Sequence, residues 1–337
     1  MTRIVVDAMG SDNYPTPDVI GAVEAARAYG VEIILTGDAS KIQPILDSAN
    51  AADLPIRIVH APEMLTMEDK GVTLALKARR PNAKNSMAVG IDLVKNGEAD
   101  AFVTMGNTGA CLATAYFRLG VLSGVDLPTL AIAFPSATGS FILVDLGANP
   151  DCKAINLLQF GIMGSVYAEK VRGVKNPKVG LISNGEEEGK GNELVKAAIP
   201  LLKSSGLNYI GSVEGKEVIG GQVDVAVMDG FTGNVFLKSS EAIAKLLTNT
   251  IRDTITNGSL LTKIGGLLIR PAMGKVRKLM DPSEYGAATL LGVNGLTFIG
   301  HGRSDARAVE VAVRVAKEAV EANVLNAIKN AIEESLK

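Results

Sequence analysis

A single lysine set between glycines, Gly189-Lys190-Gly191-Asn192-Glu193, is the most chemically pointed stretch of this sequence. Glycine on both sides lets backbone geometry hold the ammonium near a helix start, where it can meet a phosphate without competing packing. A second stretch, Asp229-Gly-Phe-Thr-Gly-Asn234, follows the β-branched alternation of Val223, Val225 and Val227 and precedes a helical pattern over Glu241–Leu247, which makes it the turn between a buried strand and a helix. Gly230 and Gly233 allow close backbone approach, while Thr232 and Asn234 offer a hydroxyl, an amide and free N–H groups. In a third, Gly106-Asn-Thr-Gly-Ala110, Asn107 and Thr108 supply side-chain donors beside Gly109, and a helix over Ala110–Leu119 aims its first N–H groups at an anion. Each loop taken singly also reads as an ordinary capped helix after a strand. Together they point to a negatively charged ligand, and neither a dinucleotide fingerprint nor a Walker loop accompanies them.

The elements that must position these loops follow from the apolar pattern. Ile4–Ala8, Val31–Leu35, Ile56–Val59 and Ala101–Met105 read as strands, with helices over Asp18–Tyr29, Ser40–Ala49 and Ser86–Asn96 between them. Strands resume at Thr129–Phe134, Phe141–Asp145, Val179–Ser183, Tyr209–Val213 and Val223–Met228. Such alternation predicts an α/β fold, a three-layer αβα sandwich around a mostly parallel sheet. The short link Pro135-Ser-Ala-Thr-Gly-Ser140 leaves room only for a β-hairpin, so the sheet is expected to be mixed. No linker or composition break interrupts residues 1–337, which read as one domain with a helical hairpin inserted at about 253–282.

Polar strand ends recur at Asp7-Ala-Met-Gly-Ser-Asp12 and Asp145-Leu-Gly-Ala-Asn149. Ligands of open α/β sheets bind at such carboxyl ends. Asp7, Asp145 and Asp229 together would suit a hard cation, but carboxylates at strand ends more often accept backbone hydrogen bonds, and no metal is expected. With 47% apolar and 21% charged residues the chain can bury a large core, and a net charge of −2 argues against general affinity for nucleic acid. Cys111 and Cys152 are expected to be a reduced pair, and His60 and His301, the only histidines, are far apart in sequence. Because the chain opens on a strand and has no apolar run of the roughly 18 residues that span a bilayer, a cytoplasmic location is expected.

Asp7-Ala-Met-Gly10, Gly106-Asn-Thr-Gly-Ala110, Asp145-Leu-Gly-Ala-Asn149, Met163-Gly-Ser-Val-Tyr167, Lys190-Gly-Asn-Glu-Leu194, Asp229-Gly-Phe-Thr-Gly-Asn234 and His301-Gly-Arg-Ser-Asp305 resemble, in order, the motifs of the PlsX family, the bacterial phosphate acyltransferases of phospholipid synthesis. The chain departs from that pattern at Ser11, Asn13, Ala287 and Arg303. The resemblance implies a fold similar to isocitrate and isopropylmalate dehydrogenases and phosphotransacetylase. It also implies a homodimer and the reaction of an acyl-[acyl carrier protein] with inorganic phosphate to give acyl phosphate. No cofactor would be bound, since phosphopantetheine arrives on the acyl carrier protein. Phosphate would itself be the nucleophile, so the protein supplies position and donors. Lys190 and Asn234 are the expected catalytic groups. Asn107, Thr108, Gly109, Asn149, Asn192, Thr232, His301 and Ser304 are expected to bind substrate, with Asp145, Glu193 and Asp229 orienting the donors. A nicotinamide-dependent dehydrogenase of the same fold and a non-catalytic scaffold for lipid synthesis are the alternatives.

One further segment reads as a membrane contact. Leu260, Leu261, Ile264, Leu267 and Leu268 repeat at helical spacing, and Pro271 is expected to break the helix before Met273–Met280 resumes it. Lys263, Arg270, Lys275, Arg277 and Lys278 flank the apolar edge, with no acidic residue between Asp253 and Asp281. Peripheral binding to an anionic membrane surface follows from that combination. A downstream glycerol-3-phosphate acyltransferase is a further candidate partner.

Overall fold

Short runs of β-branched residues alternate with helical stretches along the whole chain, and the sheet they build is long. A computed structural model describes residues 1–66, 68–69, 71–187, 189–280 and 286–335. Glu188, Asp281, Tyr285 and the side chains of Lys275, Arg277 and Lys278, which figure in the sequence reading, lie outside the described residues. The elements run β1 (Arg3–Asp7), α1 (Thr16–Tyr29), β2 (Glu32–Gly37), α2 (Ala39–Ser48), β3 (Ile56–His60), α3 (Gly71–Arg79), α4 (Ser86–Lys95), β4 (Ala101–Thr104) and α5 (Thr108–Leu119). They continue with β5 (Thr129–Ser136), β6 (Gly139–Val144), α6 (Ala154–Arg172), β7 (Val179–Ile182), α7 (Glu193–Lys203), β8 (Tyr209–Val213), α8 (Gly215–Ile219) and β9 (Val225–Val227). The chain ends in α9 (Gly230–Thr256), α10 (Leu260–Met280), β10 (Ala288–Leu291), β11 (Leu296–Ile299), α11 (Ala306–Glu321) and α12 (Val324–Ser335).

The strands form one 11-stranded sheet in the order β3-β2-β1-β4-β11-β10-β5-β6-β9-β7-β8. Pairing is parallel on both flanks, and the antiparallel pairs are β11–β10, β10–β5 and the β5–β6 hairpin. The mixed α/β sandwich read from the sequence is therefore the observed fold. One apolar layer, including Ile4, Val23, Leu35, Phe160, Leu202 and Val309, lies under α1, α2, α6, α7, α11 and α12. The opposite layer, including Val5, Phe102, Ile91, Leu143 and Leu237, lies under α3, α4, α5, α8 and the start of α9.

Three antiparallel steps reverse the sheet's direction between its flanks. The carboxyl ends of β1, β4 and β11 thus lie at one edge, and those of β6, β9 and β7 at the other. Neighbouring strands twist by roughly 20–25°, so the four steps from β11 to β9 turn one set of ends substantially toward the other.

Two helix boundaries differ from the sequence reading. α9 begins at Gly230 rather than Glu241, because Asp229 caps it: its carboxylate accepts from Thr232 N–H at 2.9 Å and from Thr232 Oγ1 at 2.8 Å. Residues 230–234 are therefore the first helical turn and not a loop. α10 runs unbroken from Leu260 to Met280 with Pro271 inside it. The carbonyl that Pro271 leaves unbonded belongs to Leu267, which is exposed, so water can satisfy it. Toward the end of the chain, α11 and α12 are separated at Asn323, which takes a left-handed φ of 53°.

Candidate functional site

Asp145 has no exposed surface and a left-handed φ of 65°, an unusual conformation for a residue with a side chain. Its carboxylate accepts from the N–H groups of Gly147 at 3.0 Å, Ala148 at 2.8 Å and Asn149 at 3.2 Å, and from Asn149 Nδ2 at 2.9 Å. Burial pushes its pKa up, and these donors oppose the shift. The second amide hydrogen bond of Asn149, to the Pro128 carbonyl at 2.8 Å, fixes the loop's far side. Asp145 thus folds residues 147–149 into a rigid turn.

The first turn of α9 packs directly on it. A Cβ at Gly230 would stand 2.8 Å from Asn149 N, and one at Gly233 would stand 1.8 Å from the Asp145 carbonyl oxygen. Only glycine fits at either position. The Asn234 side chain lies against Gly147, 3.4–3.8 Å from where a Cβ there would stand. It is exposed and makes no hydrogen bond within the described residues, which leaves an amide available to a ligand.

Lys190 stands in the loop after β7, the strand next but one to β6. Gly189 and Gly191 both take φ of 94°, a left-handed conformation that favours glycine. Asn184 Oδ1 accepts from Gly191 N–H at 2.8 Å and closes the loop, and the Lys190 stem lies over Gly185. The Lys190 ammonium is exposed and has no ion pair among the described residues. Asn192 caps α7 by accepting from Val195 N–H at 2.9 Å, and Glu193 is exposed in the first turn of that helix. Lys190, Asn192, Glu193, Asp145, Asn149, Asp229, Thr232 and Asn234 therefore share one sheet edge.

Asn107, Thr108, Gly109, His301 and Ser304 belong to the other edge. Thr104 organises it: Thr104 Oγ1 donates to Asp7 at 2.8 Å and accepts from Gly106 N–H at 3.0 Å, and the Thr104 carbonyl accepts from Gly300 N–H at 2.8 Å. Asn107 is committed to structure. Its oxygen caps α5 through Ala110 N–H at 3.0 Å, and its amide donates to the Thr66 carbonyl at 3.1 Å. The expectation that the Asn107 side chain offers free donors is corrected accordingly, while Thr108 and Gly109 remain exposed. Asp7, Asp145 and Asp229 do not converge, since Asp7 lies with Thr104. No cluster of three or more metal-ligating His, Cys, Asp or Glu side chains occurs among the described residues.

A polar stripe on α9 connects the two edges. Asn234, Lys238 and Glu241 recur at i, i+4 and i+7 and so share one helical face. Lys238 Nζ pairs with Glu241 at 2.9 Å, and Glu241 Oε1 lies 4.0 Å from His301 Nε2. Loss of water, then the Lys238 and Arg303 charges, lower the His301 pKa, with Glu241 opposing. A neutral imidazole at neutral pH results. Lys238 and Glu241 were missed in the sequence because residues 230–234 were read as a turn. Extending the helical register back to Gly230 would have revealed the stripe.

Neither thiol is activated as a nucleophile. Burial raises Cys111 well above its ordinary value, and burial with Asp145 and Asp229 nearby pushes Cys152 up to about 12. What remains is a set of cations, amides and a neutral imidazole, suited to holding an anion and stabilising developing negative charge.

A sequence profile described as fatty acid synthesis protein matches residues 2–327. The phosphate acyltransferase of Acidobacterium capsulatum is 47% identical over 325 residues, covering 96% of this chain and 95% of that one. Among solved structures, a phosphotransacetylase from Streptococcus pyogenes superposes with a TM-score of 0.61 at 16% identity, covering 95% of this chain and 94% of that one. A 4-hydroxythreonine-4-phosphate dehydrogenase from Klebsiella pneumoniae gives 0.54 at 12% identity, covering 95% and 98%. At these identities the two structures bear on the fold alone.

Proposed function

This chain belongs to the fatty acid synthesis protein family, and on that premise we propose that it moves a fatty acyl group from an acyl-[acyl carrier protein] to inorganic phosphate. A phosphate oxygen attacks the thioester carbonyl, the C–S bond breaks, and the carrier's sulfur leaves and takes up a proton. Acyl phosphate and free carrier protein result, the former for phosphatidic acid synthesis. Phosphate brings its own nucleophilic oxygen, so the protein needs no nucleophile of its own, in keeping with two thiols held protonated.

The observation that carries this reading is the α9 stripe. Asn234 at Gly147, Lys238 and Glu241 lead from the Asp145 turn to His301, at the edge where Thr108 and the α5 N-terminus lie. Lys190 and Lys238 would counter phosphate charge, and the Asn234 amide and helix-start N–H groups would orient it. Asp145 and Asp229 act through the turns they fold. His301, held neutral, can accept the proton that the attacking hydrogen phosphate gives up and relay it to the leaving sulfur.

Assembly and location belong to the same reading. From Ile243 onward α9 exposes Leu246, Leu247 and Ile251, and α10 exposes Leu260, Leu261, Leu267 and Leu268 at between 66% and 81% of their surface. Apolar surface of this extent beyond the sheet layers suits a homodimer and a peripheral contact with the membrane, where the acyl phosphate would be handed to a glycerol-3-phosphate acyltransferase. No helix among the described residues is long and apolar enough to cross a membrane.

Incubating the purified protein with acyl-[acyl carrier protein] and phosphate, then trapping acyl phosphate with hydroxylamine, tests the reaction. Hydroxamate above that of an enzyme-free control should appear in step with free carrier thiol and only when phosphate is present, since hydroxylamine alone slowly cleaves thioesters. Thiol release independent of phosphate would make the protein a thioesterase instead.

A further inference from the structure

α3 buries one stripe and presents another. Leu74 and Ala78 pack inward, while Val72 and Leu76 are 77% and 67% exposed. Val72, Leu76 and Arg79 recur at i, i+4 and i+7 in α3 and Arg80 follows directly after the helix, so the outward apolar stripe ends in two arginines. From Gly71 to Ile91 the chain has Lys77, Arg79, Arg80 and Lys84 and no carboxylate. Lys77 is paired with Asp69 at 2.6 Å. Arg79, Arg80 and Lys84 are exposed and have no ion pair among the described residues. Three uncompensated cations beside two exposed aliphatic side chains are unusual on a chain whose net charge is −2.

Position gives this surface a use. The Asn107 amide donates to the Thr66 carbonyl, just ahead of α3, and a Cβ at Gly109 would lie 3.9 Å from Leu74 Cδ2. At the far end of the pair, Arg118 Nη2 donates to the Arg80 carbonyl at 2.5 Å. α3 therefore runs alongside α5, with its first turn beside the Thr108–Gly109 donors and its arginines about a dozen ångströms further on, at 1.5 Å per residue. A donor protein held there would stand next to those donors without covering them.

We propose that the outward face of α3, Val72, Leu76 and Arg79, with Arg80 and Lys84 just beyond the helix, docks an acidic protein carrying the acyl thioester. This rests on the reading of the chain as an acyl-[acyl carrier protein] transferase. Charge complementarity selects the occupant, because unpaired cations attract a negatively charged surface and the small apolar stripe fixes its register. An anionic membrane would also be attracted, but α10 offers a larger apolar edge for that contact.

The test is Arg79→Glu combined with Arg80→Glu in the full chain. Both side chains are exposed, and the contact of Arg118 is to the Arg80 backbone, so the fold should hold. With acyl-[acyl carrier protein] as donor, KM should rise at least about tenfold with kcat unchanged, and with the same acyl group on free pantetheine both should be unaltered. Rising salt should increase the wild-type KM for the carrier-bound donor and leave the variant's nearly flat. Direct binding of acyl-free carrier protein should weaken in the same proportion. An equal KM and equal binding in wild type and variant would overturn the docking surface. So would loss of binding to anionic vesicles in place of loss of carrier binding. A wild type that binds the carrier through these arginines but makes no acyl phosphate would sink the reaction and leave the docking surface standing.

Discussion

Gly230 donates its N–H to the Asn149 carbonyl at 2.8 Å, and that hydrogen bond ties the first turn of α9 to the turn folded by Asp145. A Cβ at residue 230 would meet Asn149 N, C and O at 2.8–2.9 Å, all backbone atoms that cannot swing aside. Gly230→Ala should therefore push the two turns apart, costing about 1–3 kcal/mol of stability. Because Asn234 moves with that turn, turnover should fall although no charged group is altered. Thermal melting and steady-state kinetics on the one variant check both halves. An unchanged melt would show that the turns are free to separate.

Lys190 and Asn107 should respond in opposite ways to truncation. Lys190 is exposed with no ion pair among the described residues, so Lys190→Ala should melt like wild type and lose about 10²–10³ in kcat. Asn107→Ala removes a cap and the tie to Thr66, and should cost about 1 kcal/mol of stability. Asn234→Ala should follow Lys190, less severely. Wild-type turnover in Lys190→Ala would remove the lysine from the site.

The strands were legible because β-branched alternation and short apolar runs survive in the sequence wherever a sheet is buried on both faces. The loops were legible for a related reason: glycines at 189, 191, 230 and 233 mark backbone that a side chain would obstruct or strain. What stayed hidden was three-dimensional. The β5–β6 hairpin was legible, but the place of β10 between β11 and β5 depends on long-range pairing, so nothing local told that Thr108 and Lys190 lie at different edges. An asparagine that caps a helix and one that offers its amide look alike in sequence. Asn107 and Asn192 proved to be caps, whereas Asn234 is not.

Asp18 should make stability depend on pH. It is wholly buried, and Ser11 Oγ donates to it at 2.5 Å. Burial, with Asp7 adding to it against the Ser11 hydrogen bond, raises its pKa to about 7. The folded chain then keeps a proton that the unfolded chain has already released, so stability is greatest below the unfolded carboxylate pKa and falls as pH rises through about 7. Within that window the slope is about 1.4 kcal/mol per pH unit. Asp18→Asn should thus gain on wild type steadily from about pH 4 to about pH 7 in paired melts and level off above that. A constant difference across that range would mean that Asp18 is ionised throughout.

The exposed leucines of α10 make the membrane proposal testable without touching the site. Leu260, Leu261, Leu267 and Leu268 are all at least 66% exposed, and Ile264 lies between them in sequence at 46%. Lys263 and Arg270 stand in the same helix, and the sequence has no carboxylate from residue 254 to 280. Each well-placed cation adds roughly 1 kcal/mol of attraction to an anionic leaflet, and each buried leucine side chain adds apolar transfer energy of about 2 kcal/mol. Wild type should float with anionic vesicles and float less with neutral ones or in high salt. Leu267→Glu combined with Leu268→Glu reverses both contributions at one point of the helix and should abolish flotation. Light scattering on the same variant reads the mass of the assembly: an unchanged dimer with lost flotation assigns these leucines to lipid. A monomer would assign them to the subunit interface, and undiminished flotation would place the lipid contact elsewhere on the chain.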